Sequence, residues 1–144
     1  MSTPPFEILE HTADVGLRAF GATLPEVFVN AARGMLALAL ERADDETGAV
    51  RPEKSRRLSA RGDDNEELLV HFLSEVLYAL DTEGWRFAEF RIRKLEGNVI
   101  EAEGWGRQAE YSEHSRVAVK AVTYHQVSVQ KQNGEWEAVV YFDI

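Results

Sequence analysis

Cysteine is absent from the 144-residue chain, which excludes a disulfide framework, a thiolate zinc site, an iron–sulfur cluster and a cysteine nucleophile. Any bound metal must be held by oxygen or imidazole. Long apolar runs are missing as well. The most apolar segment, Met35 to Leu40, is far too short to span a bilayer, and Met1-Ser2-Thr3-Pro4-Pro5-Phe6 has no basic region ahead of an apolar stretch. The chain therefore reads as a soluble, cytoplasmic protein without a membrane partner. Basic residues are scarce: 16 Lys and Arg against 25 Asp and Glu give a formal charge of −9. That charge repels nucleic acid at long range, so DNA is not expected as a ligand, and any RNA would be held by a partner protein. Solubility alone is the plainer account of the same acidity.

Several catalytic signatures are also lacking. His11, His71, His114 and His125 show no His-Glu-x-x-His spacing, which argues against a catalytic zinc site. There is no Gly-rich phosphate loop, nucleophile elbow or dinucleotide fingerprint. The sequence offers no self-sufficient catalytic kit.

What is present suits one compact domain over residues 1–144, because 44% hydrophobic residues supply enough apolar surface for a core. Phe6, Ile8 and Leu9, then Val15, Leu17 and Ala19, alternate as two short strands or one bent strand about the polar His11-Thr12-Ala13-Asp14. Thr23, Pro25 and Glu26 form a capping signal for a helix from about Leu24 to about Leu40, with Glu41 at its carboxyl end. A charged loop from Arg42 to Pro52 leads to a strand around Arg56 to Ala60. Asp64 or Asn65 then caps a second helix, whose Leu68, Leu69, Phe72, Leu73, Val76, Leu77 and Leu80 share one broad face.

Beyond Gly84 the pattern is of strands: Trp85–Phe87, Phe90–Leu95, Val99–Gly106, Val117–Val122, Val127–Gln130 and Trp136–Phe142, with turns at Glu96-Gly97-Asn98 and Asn133-Gly134. Two helices followed by mostly antiparallel strands predict an α+β fold, with the helices on one face of a sheet or sandwich.

Among polar residues, Asp14 stands between two apolar segments, where a carboxylate either binds a ligand or forms a turn. Asp143 ends a hydrophobic strand beside the α-carboxylate of Ile144. Two such charges either take a hard divalent cation, Ca²⁺ or Mg²⁺, or lie in water at a frayed end. In Lys120-Ala121-Val122-Thr123-Tyr124-His125, strand alternation puts Lys120, Val122 and Tyr124 on one face and Ala121, Thr123 and His125 on the other. Lysine, tyrosine and histidine so close together can handle a phosphate or a proton, although a strand lysine also serves simply to blunt an edge.

Four blocks carry a family resemblance. Glu10-His11-Thr12-Ala13-Asp14-Val15-Gly16-Leu17, Leu68-Leu69 with Phe72-Leu73-Ser74-Glu75-Val76-Leu77-Tyr78, Val119-Lys120-Ala121-Val122-Thr123-Tyr124-His125 and Phe142-Asp143-Ile144 resemble the signature blocks of the archeases, in the family's order. The resemblance implies a small α+β protein that binds a divalent cation, Ca²⁺ foremost with Mg²⁺ or Mn²⁺ as alternatives. It also implies activation of a GTP-dependent RNA ligase by promoting guanylylation of the ligase and multiple turnover. Under it the metal ligands fall on Asp14, Asp143, Ile144 and Glu41, the last replacing the family's frequent aspartate with a longer side chain. Lys120, His125, His11 and Asp64 become candidates for partner or nucleotide contact, helix capping being an equal explanation for Asp64. The readings from other classes are a stand-alone metal-dependent phosphoesterase or nuclease and a chaperone-like binding module.

Overall fold

A computed structural model describes residues 3–10, 14–40, 54–109 and 117–144. Its first two strands, β1 (Phe6–Glu10) and β2 (Asp14–Gly21), lie antiparallel, with Phe6 opposite Ala19 and Glu10 opposite Val15. The two apolar runs are therefore separate antiparallel strands rather than one bent strand. Helix α1 (Leu24–Ala39) starts where predicted: the Thr23 Oγ1 accepts from the Glu26 N–H at 3.2 Å, and Pro25 sits in the first turn. Its buried side, Val27, Phe28, Ala31, Ala32, Met35 and Ala39, faces β2 and β7.

After β3 (Lys54–Arg61), Asp64 caps helix α2 (Asn65–Asp81), its Oδ1 accepting from the Glu67 N–H at 2.8 Å. β4 (Trp85–Glu96) and β5 (Val99–Gln108) follow, then β6 (Ala121–Gln132) and β7 (Glu135–Asp143). Both hairpin turns need left-handed backbone. Gly97 and Asn98 have φ of 59° and 62°, and Asn133 and Gly134 have 53° and 78°, as two-residue turns matched to strand twist require.

The strands divide into two sheets, ordered β1-β2-β7-β6 and β3-β5-β4, with every pairing antiparallel. Helix α2 packs on β6 of the first and β3 of the second, and so ties the sheets together. The common core draws Phe28 from α1, Phe72 from α2, Phe142 and Leu17 from the larger sheet, and Leu58 and Ile100 from the smaller. The predicted α+β arrangement stands, with the strands shared between two sheets.

Local differences follow from bulges. Trp85–Phe87 and Phe90–Leu95 are one strand, β4, whose register slips between Phe87 and Glu89 and again between Ile92 and Lys94. An extra residue at each slip breaks the period of two. Similarly, β6 is continuous, but loses register with β7 between Thr123 and Ser128, where Gln126 has φ of 52°. Residues 117–120 are not strand: the Ala118 N–H donates to the Ala39 carbonyl and the Lys120 N–H to that of Asp143.

Candidate functional site

Asp14 opens β2 and Asp143 closes β7, and the two are direct cross-strand partners. Side chains of directly opposed residues in an antiparallel pair lie on the same face, with Cβ atoms about 4.5–5.5 Å apart. Two residues at opposite ends of the sequence thus meet at one corner of the four-stranded sheet. Leu17, Ala19, Ala138, Val140 and Phe142 fill the inner face of these strands, so alternation turns Asp14 and Asp143 outward.

The next row on that outer face is Gly16 opposite Tyr141, with Thr123 beyond. Tyr141 lies across Gly16, where a β-carbon would come within 2.7 Å of the ring Cε2. Thr123 Oγ1 donates to the Tyr141 carbonyl at 3.0 Å and accepts from the His125 N–H at 3.3 Å. The His125 ring meets that of Tyr141 edge-on, at 5.8 Å between centroids. As the alternation predicts, Ala121, Thr123 and His125 share the face of the two aspartates. Lys120 joins the same corner through its backbone bond of 2.8 Å to the Asp143 carbonyl, with its side chain exposed. Ile144, half exposed at 53%, is next to Asp143.

Tyr124 points the other way. Its hydroxyl lies 2.7 Å from His71 Nε2 on α2, and His71 Nδ1 bonds the Arg61 carbonyl. A carbonyl only accepts, so Nδ1 carries the proton and Nε2 accepts from the tyrosine. The suggested grouping of Lys120, Tyr124 and His125 is therefore split: Tyr124 bonds His71 on α2, while His125 meets Tyr141 on the face of the two aspartates. Beside His71, an open cleft of about 850 Å³ is lined by Arg61, Glu75 and Tyr78. Asp64 does not join the corner; its described bond is the α2 cap. Glu41 and His11 lie outside the described residues. Among the described residues no three His, Asp or Glu side chains gather as a metal-binding set, and no helix is long and apolar enough to cross a membrane.

Two participants were not singled out from sequence. Tyr141 stands two residues before Asp143 on an alternating strand, so the period of two alone places it on the same face. His71 gave no comparable signal, because its partners come from residues 61 and 124.

A model of the Archease protein family matches residues 6–144. The chain belongs to the archease family. It is 38% identical over 140 residues to the archease of Aeropyrum pernix, covering 94% of each chain. It is 39% identical over 144 residues to that of Methanosarcina acetivorans, covering 96% of this chain and 95% of the relative. The solution structure of protein 1598 of Methanobacterium thermoautotrophicum superimposes with a TM-score of 0.80 at 30% identity, over 97% of this chain and 99% of the other. The crystal structure of an archease from Thermotoga maritima shares the fold, with a TM-score of 0.59 at 23% identity, over 100% and 98% of the two chains. In this archease fold, β2 and β7 are the strands that bring Asp14 and Asp143 together.

Proposed function

We propose that this archease-family chain is a cytoplasmic accessory protein of a GTP-dependent RNA ligase, promoting guanylylation of the ligase and multiple turnover, and that it does so through a divalent cation held at Asp14 and Asp143. The observation that carries this reading is the direct cross-strand pairing of the two aspartates on an outward-facing sheet corner. Paired carboxylates suit a hard cation, Ca²⁺ foremost with Mg²⁺ or Mn²⁺ as alternatives, because each offers oxygen donors and the positive charge relieves their mutual repulsion. Glu41 and Ile144 are the further donors proposed.

The fit is of a particular kind. Two carboxylates are fewer oxygen donors than such a cation takes, so a site built on them has positions left for water, a partner or a phosphate. When bound, the cation would supply charge stabilisation for a phosphoryl group under attack. The chain's own residues do the remaining work. β2 and β7 fix the spacing of the carboxylates, Tyr141 and His125 wall one side of the corner, and Lys120 offers a cation beside it for a phosphate or an acidic partner.

Incubating the ligase with GTP and Mn²⁺, with and without this protein, tests the reading by scoring guanylylated ligase and RNA turnovers. Asp143→Ala should abolish the stimulation while leaving the circular-dichroism spectrum and melting temperature near those of the parent. Unchanged stimulation would refute the proposal.

A further inference from the structure

The net charge of −9 is unevenly distributed. The strands of the three-stranded sheet, β3, β4 and β5, hold nine of the 16 basic residues and only four of the 25 acidic ones. They are net +5, which leaves −14 on the rest of the chain. The four strands of the other sheet hold six acidic and two basic residues, net −4, and α2 holds four acidic residues and no Lys or Arg. The outer face of this sheet carries a narrower excess, because Arg56 is paired with Glu83 and Arg86 is buried, but long-range repulsion argued from the total charge still does not describe every face of the molecule.

The smaller sheet buries Leu58, Phe87, Phe90, Ile100 and Ala102 on its inner side. The pleat turns Arg57, Arg61, Arg91 and Lys94 outward, and all four are exposed together with the bulged Arg93. Glu89, Glu96, Glu101 and Glu103 share this face, but compensate it unequally. Arg93 is bonded to Glu103, with its Nε at 2.9 Å, and holds that carboxyl below its ordinary range. Arg91 reaches Glu89 at 3.7 Å while its guanidinium lies 5.1 Å from the centre of the Trp105 ring. Arg57 stands in register with Glu103, whose carboxylate is already engaged by Arg93. Arg57, Arg61 and Lys94 make no ion pair with a described residue. Between Arg57 and Arg93 lies a cleft of about 520 Å³ that also carries Ser59, Glu101 and Glu103.

We propose that the outer face of the three-stranded sheet binds the phosphodiester backbone of single-stranded RNA, with Arg57 and Lys94 as phosphate contacts on either side of the Ser59 cleft. Cations without an ion pair on the two edge strands, Arg57 and Arg61 on β3 and Lys94 on β4 opposite Glu101 of β5, suit a chain of regularly spaced anions that crosses the sheet. A tryptophan stacked with an arginine at one end suits a ligand that also carries flat bases, as single-strand platforms do. An acidic peptide has no use for that second feature. The choice of RNA as the polyanion rests on the ligase reading above, but the binding itself does not require the ligase.

The test uses the full-length protein and a fluorescein-labelled oligouridylate of about 12 nucleotides, followed by anisotropy from about 50 to 200 mM salt. We expect saturable binding at low salt, and a log–log salt slope of about −1.4 for two phosphate contacts at roughly −0.7 each. Arg57→Glu with Lys94→Glu should weaken binding at least tenfold and flatten the slope. Asp143→Ala should leave it unchanged. A polyglutamate peptide of equal charge should not compete, and the double variant should still stimulate ligase guanylylation in the absence of RNA. Three results would overturn the proposal: no binding at low salt, equal binding by the double variant, or efficient competition by polyglutamate. Loss of RNA-free guanylylation in the double variant would overturn it too, by assigning this face to the ligase. Failure of the RNA arm with Asp143-dependent stimulation intact would leave the accessory role standing.

Discussion

Tyr141 and Gly16 are matched by shape: the tyrosine ring crosses the glycine closely enough that an added β-carbon would approach ring carbons at 2.7 and 3.0 Å, with the Leu9 Cβ at 2.9 Å. Gly16→Ala should therefore destabilise the protein by about 1–3 kcal/mol, the usual range for overpacking. Urea denaturation measures this. Tyr141→Ala in the same chain should recover part of the loss, since the two substitutions share one contact; strict additivity would show that the ring is not the obstacle.

The cation proposal makes a binding prediction independent of any ligase. Titration calorimetry with Ca²⁺ should give one site in the parent, and Asp14→Asn or Asp143→Asn should each weaken it at least tenfold. Removing one carboxylate halves the paired charge while keeping the side-chain shape, so an unaltered affinity would place the cation elsewhere.

Asp64 separates a structural role from a functional one. Because its Oδ1 caps α2 at the Glu67 N–H, Asp64→Ala should cost about 1 kcal/mol. Asp64→Ser, which keeps a capping oxygen without the charge, should restore most of it. Stimulation of the ligase should match the parent in the serine variant, and a clear drop there would return Asp64 to the list of partner contacts.

Acid stability should depend on an ion pair between β3 and the residues that follow α2. Arg56 donates to Glu83 from Nε and Nη2, at 2.5 and 3.1 Å, and this bonding lowers the Glu83 carboxyl below its ordinary 4.5. A lowered carboxyl stabilises the fold above its ordinary value, and that stabilisation is lost as pH falls through the folded-state value. Glu83→Gln should thus be less stable than the parent at pH 7 by about 1 kcal/mol or less, the pair being partly exposed. The gap should narrow as pH falls below the ordinary glutamate value of about 4.5, and vanish once pH is below the lowered folded-state value, as read from melting temperatures across the range.

The bond between Tyr124 and His71 should register as a coupling. Tyr124→Phe and His71→Ala should each cost about 0.5–1.5 kcal/mol. The double variant should lose less than the sum, because either change alone breaks the same bond.

Much of this architecture was legible from local pattern. Thr23 and Asp64 announced both helices because capping chemistry acts within three residues, and Asn133-Gly134 announced its hairpin because the turn itself requires left-handed backbone. The split into two sheets was not legible, since strand partners are chosen by packing over long separations: β5 lies between β3 and β4, with α2 intervening in the chain. The bulges in β4 and β6 hid for a related reason, each breaking the alternation that defines a strand in sequence. At the site, the pairing of Asp14 with Asp143 was reached through the family resemblance rather than through spacing. Tyr141 could have been read from its own strand, whereas the His71 contact joins three distant segments and left no trace in any one of them.

The interrupted register of β6 bears on how the molecule behaves in a crowded solution. β6 is the outer strand of its sheet, and an outer strand with a continuous row of free amides invites another chain to pair with it. Here the strand bends away from an even ladder between Thr123 and Ser128, and the amide of Val129 is already spent on Glu66 of α2 at 2.9 Å. A neighbouring copy finds no straight row to zip against, so this border resists edge-to-edge aggregation even where the protein is abundant.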